Sequence, residues 1–313
     1  ATLLVTSKDL HLFTNNIEST RLQREEKLAQ QGWQFHVGTW YKGPQPLAEY
    51  TRGLRLGADG AYPGTVDVST ELTRERANLS PEEVERFKKL GSLCAGAMDS
   101  AVRNIQPGMT EYQIAGILDL ETEKRGAQPI VNLVATDERI WAYRHPLPTS
   151  KTLERYAMMV LCGRMDGLVC SITRHIHFGP LPDELRRKQA AVGQIDATFI
   201  AATRPGATLG AIFEKAQSAY AATGFPEQWQ LHHQGGPAGY EPREYVATPG
   251  SQDTVATNQV YAWNPSVAGC KSEDTILIAG EQNVVLTTVD GWPEIPVEVD
   301  GQSIKRPAIL EVT

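Results

Sequence analysis

The chain repeats a segment of itself, and this internal repeat limits the possible folds more than any other feature. QPGMTEYQIAGILDLETEKRG spans residues 106–126, and RPGATLGAIFEKAQSAYAATG spans residues 204–224. Both begin with P-G-x-T, a turn and a helix N-cap, and both end on a glycine at the same spacing. Each copy follows a proline-started acidic helix, LSPEEVERF or LPDELRRKQ. Two copies predict a pseudo-two-fold α+β domain, because a solenoid needs at least three copies of its repeat.

The first 78 residues differ in character and are predicted to form a small α/β domain of their own. TLLVTS, HLFTN and FHVGTWY are typical of strands, and RLQREEKLAQQG has a helical composition that ends at a glycine. A loose stretch then precedes Ser80, a predicted N-cap followed by Pro81. The sequence therefore predicts one domain at residues 1–78 and a second at residues 79–313.

Composition and charge argue against several classes of partner. The chain has 313 residues and a net charge of -7, and it has no basic stripe of the kind that binds nucleic acid. No apolar run approaches the roughly 20 residues of a membrane helix. The four cysteines form no C-x-x-C pair. Four cysteines in a chain of this length are typical of reduced thiols and not of a disulfide framework. We therefore expect a cytoplasmic protein that contacts neither nucleic acid nor membrane.

The repeat and the strands around it resemble those of a known family. YAMMVLCGRMDGLVCSITRHIHFG lies inside the repeat and VYAWNPSVAGCKSEDTILI follows it. From about Leu79 to Gly291 the chain resembles the pita-bread metallopeptidases, which include methionine aminopeptidase, aminopeptidase P, prolidase and creatinase. The N-terminal part, through LFTNNIESTR, is similar to a truncated N-terminal domain of the prolidase and creatinase branch. The resemblance implies an α+β pita-bread fold with a small α/β N-terminal domain.

The resemblance also implies where two metal ions would bind. Family members hold them with two Asp, one His and two Glu, because carboxylates bridge hard cations that activate a shared water. Glu273 is the one position that keeps its residue type. The other four positions, matched on S-I-T-R, H-x-x-G-H-x-x-G and E-P patterns, hold Val160, Ser171, Gly236 and Asn264. The resemblance therefore implies a degenerate metal site, without metal or other cofactor.

Two histidines match family positions that contact substrate and shuttle protons. They are His145 in YRHPLPT and His232 at the start of HHQGGPAG, whereas the adjacent His233 is expected to be incidental. Creatinase, a metal-free relative, cleaves a C–N bond of a guanidino acid with the histidine at the position of His145. The resemblance thus implies catalytic roles for His145, His232 and Glu273, since a histidine near neutral pKa can act as a general base. A structural role is the alternative for each histidine.

Further residues are expected to contact the substrate. They are Arg21, Arg144, Cys162, Ser171, Thr173, Glu244 and Asn264. Strand pleating places Val160 with Cys162, and Ser171 with Thr173, on shared faces. Arginine forks suit carboxylates. Arg21 lies in the loop that, in the creatinase branch, reaches the site of the partner subunit, so the resemblance implies a homodimer with a small-molecule or short-peptide substrate.

Several alternatives are weaker. A zinc site of His232, His233 and Cys270 lacks short ligand spacing, and GGPAG lacks the phosphate-binding pattern and its lysine. His175 and His177 alternate with apolar residues and could simply cover a strand. Three functions stay open: a metal-independent C–N hydrolase of creatinase type, a non-catalytic peptide- or small-molecule-binding module, and, least favoured, a metal-dependent aminopeptidase or dipeptidase.

Overall fold

The computed structural model describes residues 1–43, 47–280 and 282–313. Within them the chain divides into two units, residues 1–70 and residues 71–313. The division falls inside the helix Ser69–Arg76, ahead of the predicted boundary at residue 78. No helix in the described ranges is long and apolar enough to cross a membrane.

The first unit is built on a three-stranded sheet of β1 (Thr2–Val5), β2 (Leu10–Asn15) and β3 (Trp33–Gly38). Strand β2 pairs antiparallel with β1 and parallel with β3, so the three predicted strands are confirmed. The prediction of one helix over RLQREEKLAQQG was wrong. The segment contains the end of α1 (Ser19–Arg24) and a separate 3-10 turn, because Lys27 between them adopts a left-handed backbone conformation.

The remaining elements of the first unit are short. They are α2 (Ala48–Thr51), β4 (Gly57–Ala58) and β5 (Val66–Asp67), and α3 (Ser69–Arg76) follows at the division. Four aromatic rings pack together beside the sheet: His11, Phe13, His36 and Tyr50. Within this group Nδ1 of His11 lies 3.0 Å from Nε2 of His36.

The second unit combines helices with two four-stranded sheets. Its helices are α4 (Pro81–Arg103), α5 (Glu111–Glu123), α6 (Arg139–Ala142), α7 (Asp183–Ala202) and α8 (Leu209–Ala222). Its strands are β6 (Gln128–Thr136), β7 (Tyr156–Met165), β8 (Leu168–Phe178), β9 (Gly235–Ala238), β10 (Val260–Trp263), β11 (Ser266–Val267), β12 (Cys270–Lys271), β13 (Asp274–Ala279), β14 (Gln282–Val285), β15 (Glu294–Val299), β16 (Gln302–Pro307) and β17 (Leu310–Val312). The sheet orders are β17-β8-β7-β6 and β14-β13-β10-β9.

The two copies of the sequence repeat form equivalent helix pairs, α4 with α5 and α7 with α8. Thr110 caps α5 and Thr208 caps α8, in each case by accepting a hydrogen bond from a backbone N–H of the first turn. Both caps also make a matching antiparallel bridge, Thr110 to Thr152 and Thr208 to Thr254. The repeat predicted from the sequence is therefore present in the fold.

Helix α4 begins where the sequence predicts. The Ser80 side chain accepts from the backbone N–H of Glu83, and the Glu83 carboxylate accepts from the backbone N–H of Ser80. This capping box satisfies N–H groups that a helix start leaves free. The buried face of α4 includes Phe87, Leu90 and Met98, and each such side chain contributes roughly 1.5–3 kcal/mol by leaving water.

A backbone bridge joins the two sheets. The N–H of Thr173 in β8 donates to the carbonyl of Glu273, which precedes β13, at 3.1 Å. Side chains from both sheets therefore converge beside this bridge. Most of the residues predicted for the site lie around it or in the loops that border it.

Candidate active site

His145 and His232, which the sequence predicts to share a site, are in direct contact. Nε2 of His145 lies 3.0 Å from Nε2 of His232. His145 lies in the loop after α6 and is exposed, whereas His232 follows a 3-10 turn before β9 and is buried. Nδ1 of His232 lies 3.0 Å from Oγ of Ser266 in β11. The three side chains form a hydrogen-bonded chain from the surface into the interior.

Both imidazoles are neutral at neutral pH. Partial burial of the His145 ring, with the positive charge of Lys271, lowers its pKa, and the deeper burial of His232 lowers the pKa of that ring much further. A neutral ring can accept a proton on one nitrogen and donate from the other. His145 can therefore accept a proton from a bound group on one ring nitrogen. Its other ring nitrogen stays hydrogen-bonded to His232.

His233, expected to be incidental, belongs to the same cluster. One ring nitrogen from each of His145, His232 and His233 lies within 4.8 Å of the other two. The zinc alternative that paired His232 and His233 with Cys270 is not the arrangement found, since His145 takes the third place. Three imidazoles at this spacing are a set that could hold a transition metal.

Glu273 lies deeper and is held by three donors. Its Oε1 accepts from Arg243 Nη2 at 2.9 Å, and its Oε2 accepts from Thr173 Oγ1 at 2.6 Å and forms an ion pair with Lys271 Nζ at 2.7 Å. The side chains of Glu273, Arg243 and Lys271 are each more than nine-tenths buried. One buried carboxylate is thus paired with two buried cations.

The ionisation of Glu273 follows from these partners. Burial alone would raise its pKa, but the charges of Lys271 and Arg243 and the hydrogen bonds to the carboxylate outweigh burial and hold the pKa well below its usual range. Glu273 therefore stays ionised at neutral pH and has no proton to donate. Two cations and one anion leave a net positive charge at this centre.

The predicted pairing of faces on β7 and β8 is confirmed. Val160 lies opposite Thr173, and Cys162 lies opposite Ser171 with Sγ 3.3 Å from Oγ. Arg243 Nη1 donates to Ser171 Oγ at 3.1 Å, which connects this face to the Glu273 network. Burial raises the pKa of the Cys162 thiol to about 11, so the thiol stays protonated at neutral pH.

Of three positions matched to family metal ligands, two offer no side-chain donor and the third holds an amide. Val160 is buried and aliphatic. A Cβ at Gly236 would lie 2.3 Å from the carbonyl oxygen of Tyr245, so no side chain fits there. Asn264 places Nδ2 3.3 Å from Nε2 of His232, and its Oδ1 is buried without a hydrogen-bond partner among the described residues.

Two of the predicted substrate contacts have protein partners instead. The buried carboxylate of Glu244 accepts from the Tyr240 N–H at 2.7 Å and from Arg76 Nη2 at 2.9 Å, which fixes the turn after β9. Arg144, half-buried, donates to the side-chain amide oxygen of Gln228. Both side chains hold loops that border the site.

Arg21 and His175 also have protein partners. Arg21 belongs to the first unit, where it is exposed and pairs with Glu18 at 3.2 Å and with Glu26 at 2.7 Å. His175 is buried in β8, with Nδ1 2.8 Å from the hydroxyl of Tyr156. The alternative of a strand-covering histidine fits this position.

Sequence reasoning missed Arg243, Lys271 and Ser266. A usable signal existed for Lys271, because it lies two residues before Glu273 in a strand-like run, and residues two apart on a strand share a face. A lysine beside a glutamate in an otherwise buried run indicates an internal ion pair. Arg243 carried no comparable signal, since it lies in a polar loop.

Residues 85–287 match metallopeptidase family M24, which is more than half of the chain. The chain therefore belongs to this family, and the predicted pita-bread relationship is confirmed at the level of family and fold.

Individual proteins are similar to this chain in sequence or in fold. An uncharacterized peptidase of Staphylococcus saprophyticus is 24% identical over 234 residues, which cover 71% of this chain and 65% of that protein. Matches to such curated relatives thus span about two thirds of their length. The prolidase of Pyrococcus horikoshii OT3 superposes with a TM-score of 0.78 at 19% identity, covering 92% of this chain and 87% of that one. The X-Pro aminopeptidase of Thermotoga maritima MSB8 superposes with a TM-score of 0.79 at 18% identity, covering 99% of this chain and 90% of that one.

Proposed function

We propose that this chain hydrolyses a C–N bond without the paired metal ions of its family, and that His145 is the residue that exchanges the proton. One observation carries the proposal: His145 contacts His232 at 3.0 Å at the exposed end of the site, while both oxygens of Glu273 are bound by Arg243 and Lys271.

The residues present do not fit a pair of hard divalent cations. Such ions require several oxygen ligands, and carboxylates that bridge them. Val160 has no donor atom and Gly236 has no room for a side chain. Glu273, the one carboxylate in the set, already accepts two hydrogen bonds from protein groups and forms an ion pair with Lys271. No step of the proposed reaction therefore runs through a metal ion.

Arg243 and Lys271 supply part of what the ions would supply. Fixed positive charge in a water-poor site stabilises an oxygen that becomes negative in the transition state. Because Glu273 neutralises only one of the two cations, the centre keeps a positive charge for such an oxygen. Glu273 itself acts as a positioning residue in this scheme, since it holds both cations and stays ionised.

His145 supplies the proton chemistry. Its ring is neutral at neutral pH and exposed, so a nitrogen can accept a proton from a water that attacks the substrate carbon. His232 holds the ring through the Nε2 contact, and Ser266 fixes His232 through Nδ1. The proton taken by His145 then passes to the leaving nitrogen as the C–N bond breaks, so charge and atoms balance.

The substrate class follows from the site and from the relatives. A small amide, guanidino compound or short peptide with a carboxylate suits a positive centre beside a histidine pair. The relatives of like fold include proteins named prolidase and X-Pro aminopeptidase. We also propose that the chain is a homodimer, as the creatinase branch implies, which multi-angle light scattering tests directly.

The function is tested with a panel of N-substituted amino acids, guanidino acids and Xaa-Pro dipeptides, assayed in excess EDTA. We expect turnover in EDTA and a fall in kcat of about a hundredfold to ten-thousandfold in His145→Ala. His36→Ala, which removes a histidine from the similar pair in the first unit, serves as the matched control and should keep full activity. Activity that EDTA abolishes and manganese restores would overturn the proposal.

A non-catalytic binding module is the second candidate. It is favoured by the state of Glu273, which is ionised and already bound by Arg243, Lys271 and Thr173 and therefore has no proton to give to a leaving group. Its signature is tight binding of a panel compound by calorimetry with no product after long incubation, and unchanged binding in His145→Ala.

A further inference from the structure

The histidine cluster has a feature that the proposed hydrolysis does not use. His233 adds a third imidazole to His145 and His232, and one nitrogen of each ring lies within 4.8 Å of the other two. The ring centroids are 4.8 Å apart for His145 and His232, 5.5 Å for His145 and His233, and 4.8 Å for His232 and His233. Three ring nitrogens thus converge on one small volume from two separate segments of the chain.

The buried ring of the cluster is already oriented. Nδ1 of His232 is engaged by Ser266 Oγ at 3.0 Å, which fixes the ring and turns Nε2 toward His145. A histidine that binds a metal with one nitrogen and hydrogen-bonds a protein group with the other is the usual arrangement in metal sites. His145 and His233 are exposed, so an ion can reach the cluster from solvent.

A fourth donor lies beside the three rings. The side chain of Asn264 is buried, with Nδ2 3.3 Å from Nε2 of His232 and Oδ1 lacking a hydrogen-bond partner among the described residues. A half-turn of the amide group exchanges its oxygen and nitrogen without moving other atoms. After this rotation the amide oxygen of Asn264 faces the volume where the ring nitrogens converge. The oxygen that lacks a hydrogen-bond partner would then be a metal ligand.

We propose that His145, His232 and His233, with the amide oxygen of Asn264, bind one divalent d-block ion such as Zn²⁺ or Co²⁺, and that this ion inhibits the enzyme. Imidazole is a preferred ligand of these ions, and the set contains no carboxylate, unlike the ligands of the family's paired ions. The inhibition rests on the proposed function, because the ion takes the lone pairs that His145 and His232 need for proton exchange. The binding of the ion is independent of the proposed function.

The surroundings limit the affinity. Lys271 and Arg243 lie close enough for their charges to act on the rings, and Glu273 neutralises only one of them. Their repulsion opposes a dication, so we expect binding in the micromolar range rather than the tighter range of buried structural zinc sites.

The test uses protein freed of metal with EDTA and then titrated with Co²⁺ or Zn²⁺. We expect one ion per chain by calorimetry and the visible d–d absorption bands of four-coordinate Co²⁺. His233→Ala should weaken binding by roughly 100-fold while it retains metal-free turnover, since His233 has no part in the proposed hydrolysis. His36→Ala, at the two-histidine pair of the first unit, should bind Co²⁺ like the unaltered protein.

The outcomes separate the two proposals. Absence of the d–d bands, or equal Co²⁺ affinity in His233→Ala and the unaltered protein, overturns the metal site and leaves the hydrolysis untouched. Inhibition by Zn²⁺ that His233→Ala relieves supports both. Full occupancy by Zn²⁺ without loss of turnover supports the metal site and counts against His145 as the proton-exchanging residue.

Discussion

Lys271→Met tests how the buried carboxylate is held. The substitution removes one of two cations from Glu273 and leaves Arg243 and Thr173 in place. Removing one partner of a buried pair costs roughly 3–5 kcal/mol. Protonation of Glu273 sets a ceiling, since holding a carboxyl of ordinary pKa about 4.3 protonated at pH 7 costs about 3.7 kcal/mol. With two donors retained, we expect a loss of about 3 kcal/mol, or roughly 6–12 °C in Tm.

The dependence on pH identifies the carboxylate as the cause. Because the folded pKa of Glu273 is depressed, its stabilising contribution is complete above the unfolded pKa of about 4.3 and is lost as the pH falls through the folded value. Lys271→Met raises the folded pKa toward the unfolded one. The difference in free energy of unfolding between the two proteins should therefore be full at neutral pH and shrink below about pH 4.

The assay is urea denaturation at neutral pH and in acid, with Lys305→Met as the matched control. Lys305 also pairs with a glutamate, Glu294 at 3.1 Å, but its side chain is 72% exposed. An exposed pair contributes about 0–1 kcal/mol. A loss in Lys271→Met no greater than that in Lys305→Met would refute the reasoning, and so would a loss that is constant with pH.

Three further outcomes follow from the site. Gly236→Ala should lose about 2 kcal/mol by denaturation, because its Cβ meets the Tyr245 backbone at 2.3 Å, whereas Gly116→Ala, with no atom within 4 Å in the described chain, should gain about 0.5–1 kcal/mol. Cys162 should resist iodoacetamide in the folded protein at neutral pH, with rapid labelling contradicting its raised pKa. The pH–rate profile should fall only below about pH 6.5, because neutral His145 is the base and its pKa is lowered; a fall beginning above pH 7 would contradict this.

The fold was predictable because its main signals are local and repeated. Ser80 and Thr110 are capping residues that satisfy helix N–H groups whatever the tertiary context, and Thr208 repeats the pattern in the second copy. The helix predicted over residues 21–32 failed for the opposite reason. Its composition favours a helix, but the left-handed conformation at Lys27 interrupts the segment, and composition alone does not reveal such a break.

The site was predictable only in part. The resemblance placed His145 and His232 at one site, but it did not predict their direct contact, because 87 residues separate them and no periodicity relates them. The partners of Glu273 were not anticipated, because Arg243 reaches it from a loop 30 residues away. Long-range ion pairs leave no periodic trace in a sequence. Their presence is decided by which loops the sheets bring together.

In the proposed function, the ion network explains how a centre without metal ions works. A buried carboxylate without counter-ions costs several kcal/mol, so such a centre needs other charges beside Glu273. Arg243 and Lys271 do this for Glu273, and they keep a net positive charge at the centre. Side-chain cations donate hydrogen bonds but do not lower the pKa of a bound water as a metal does. In the proposed function the two tasks of the metal ions are therefore divided: Arg243 and Lys271 provide charge, and the neutral ring of His145 has to remove the proton.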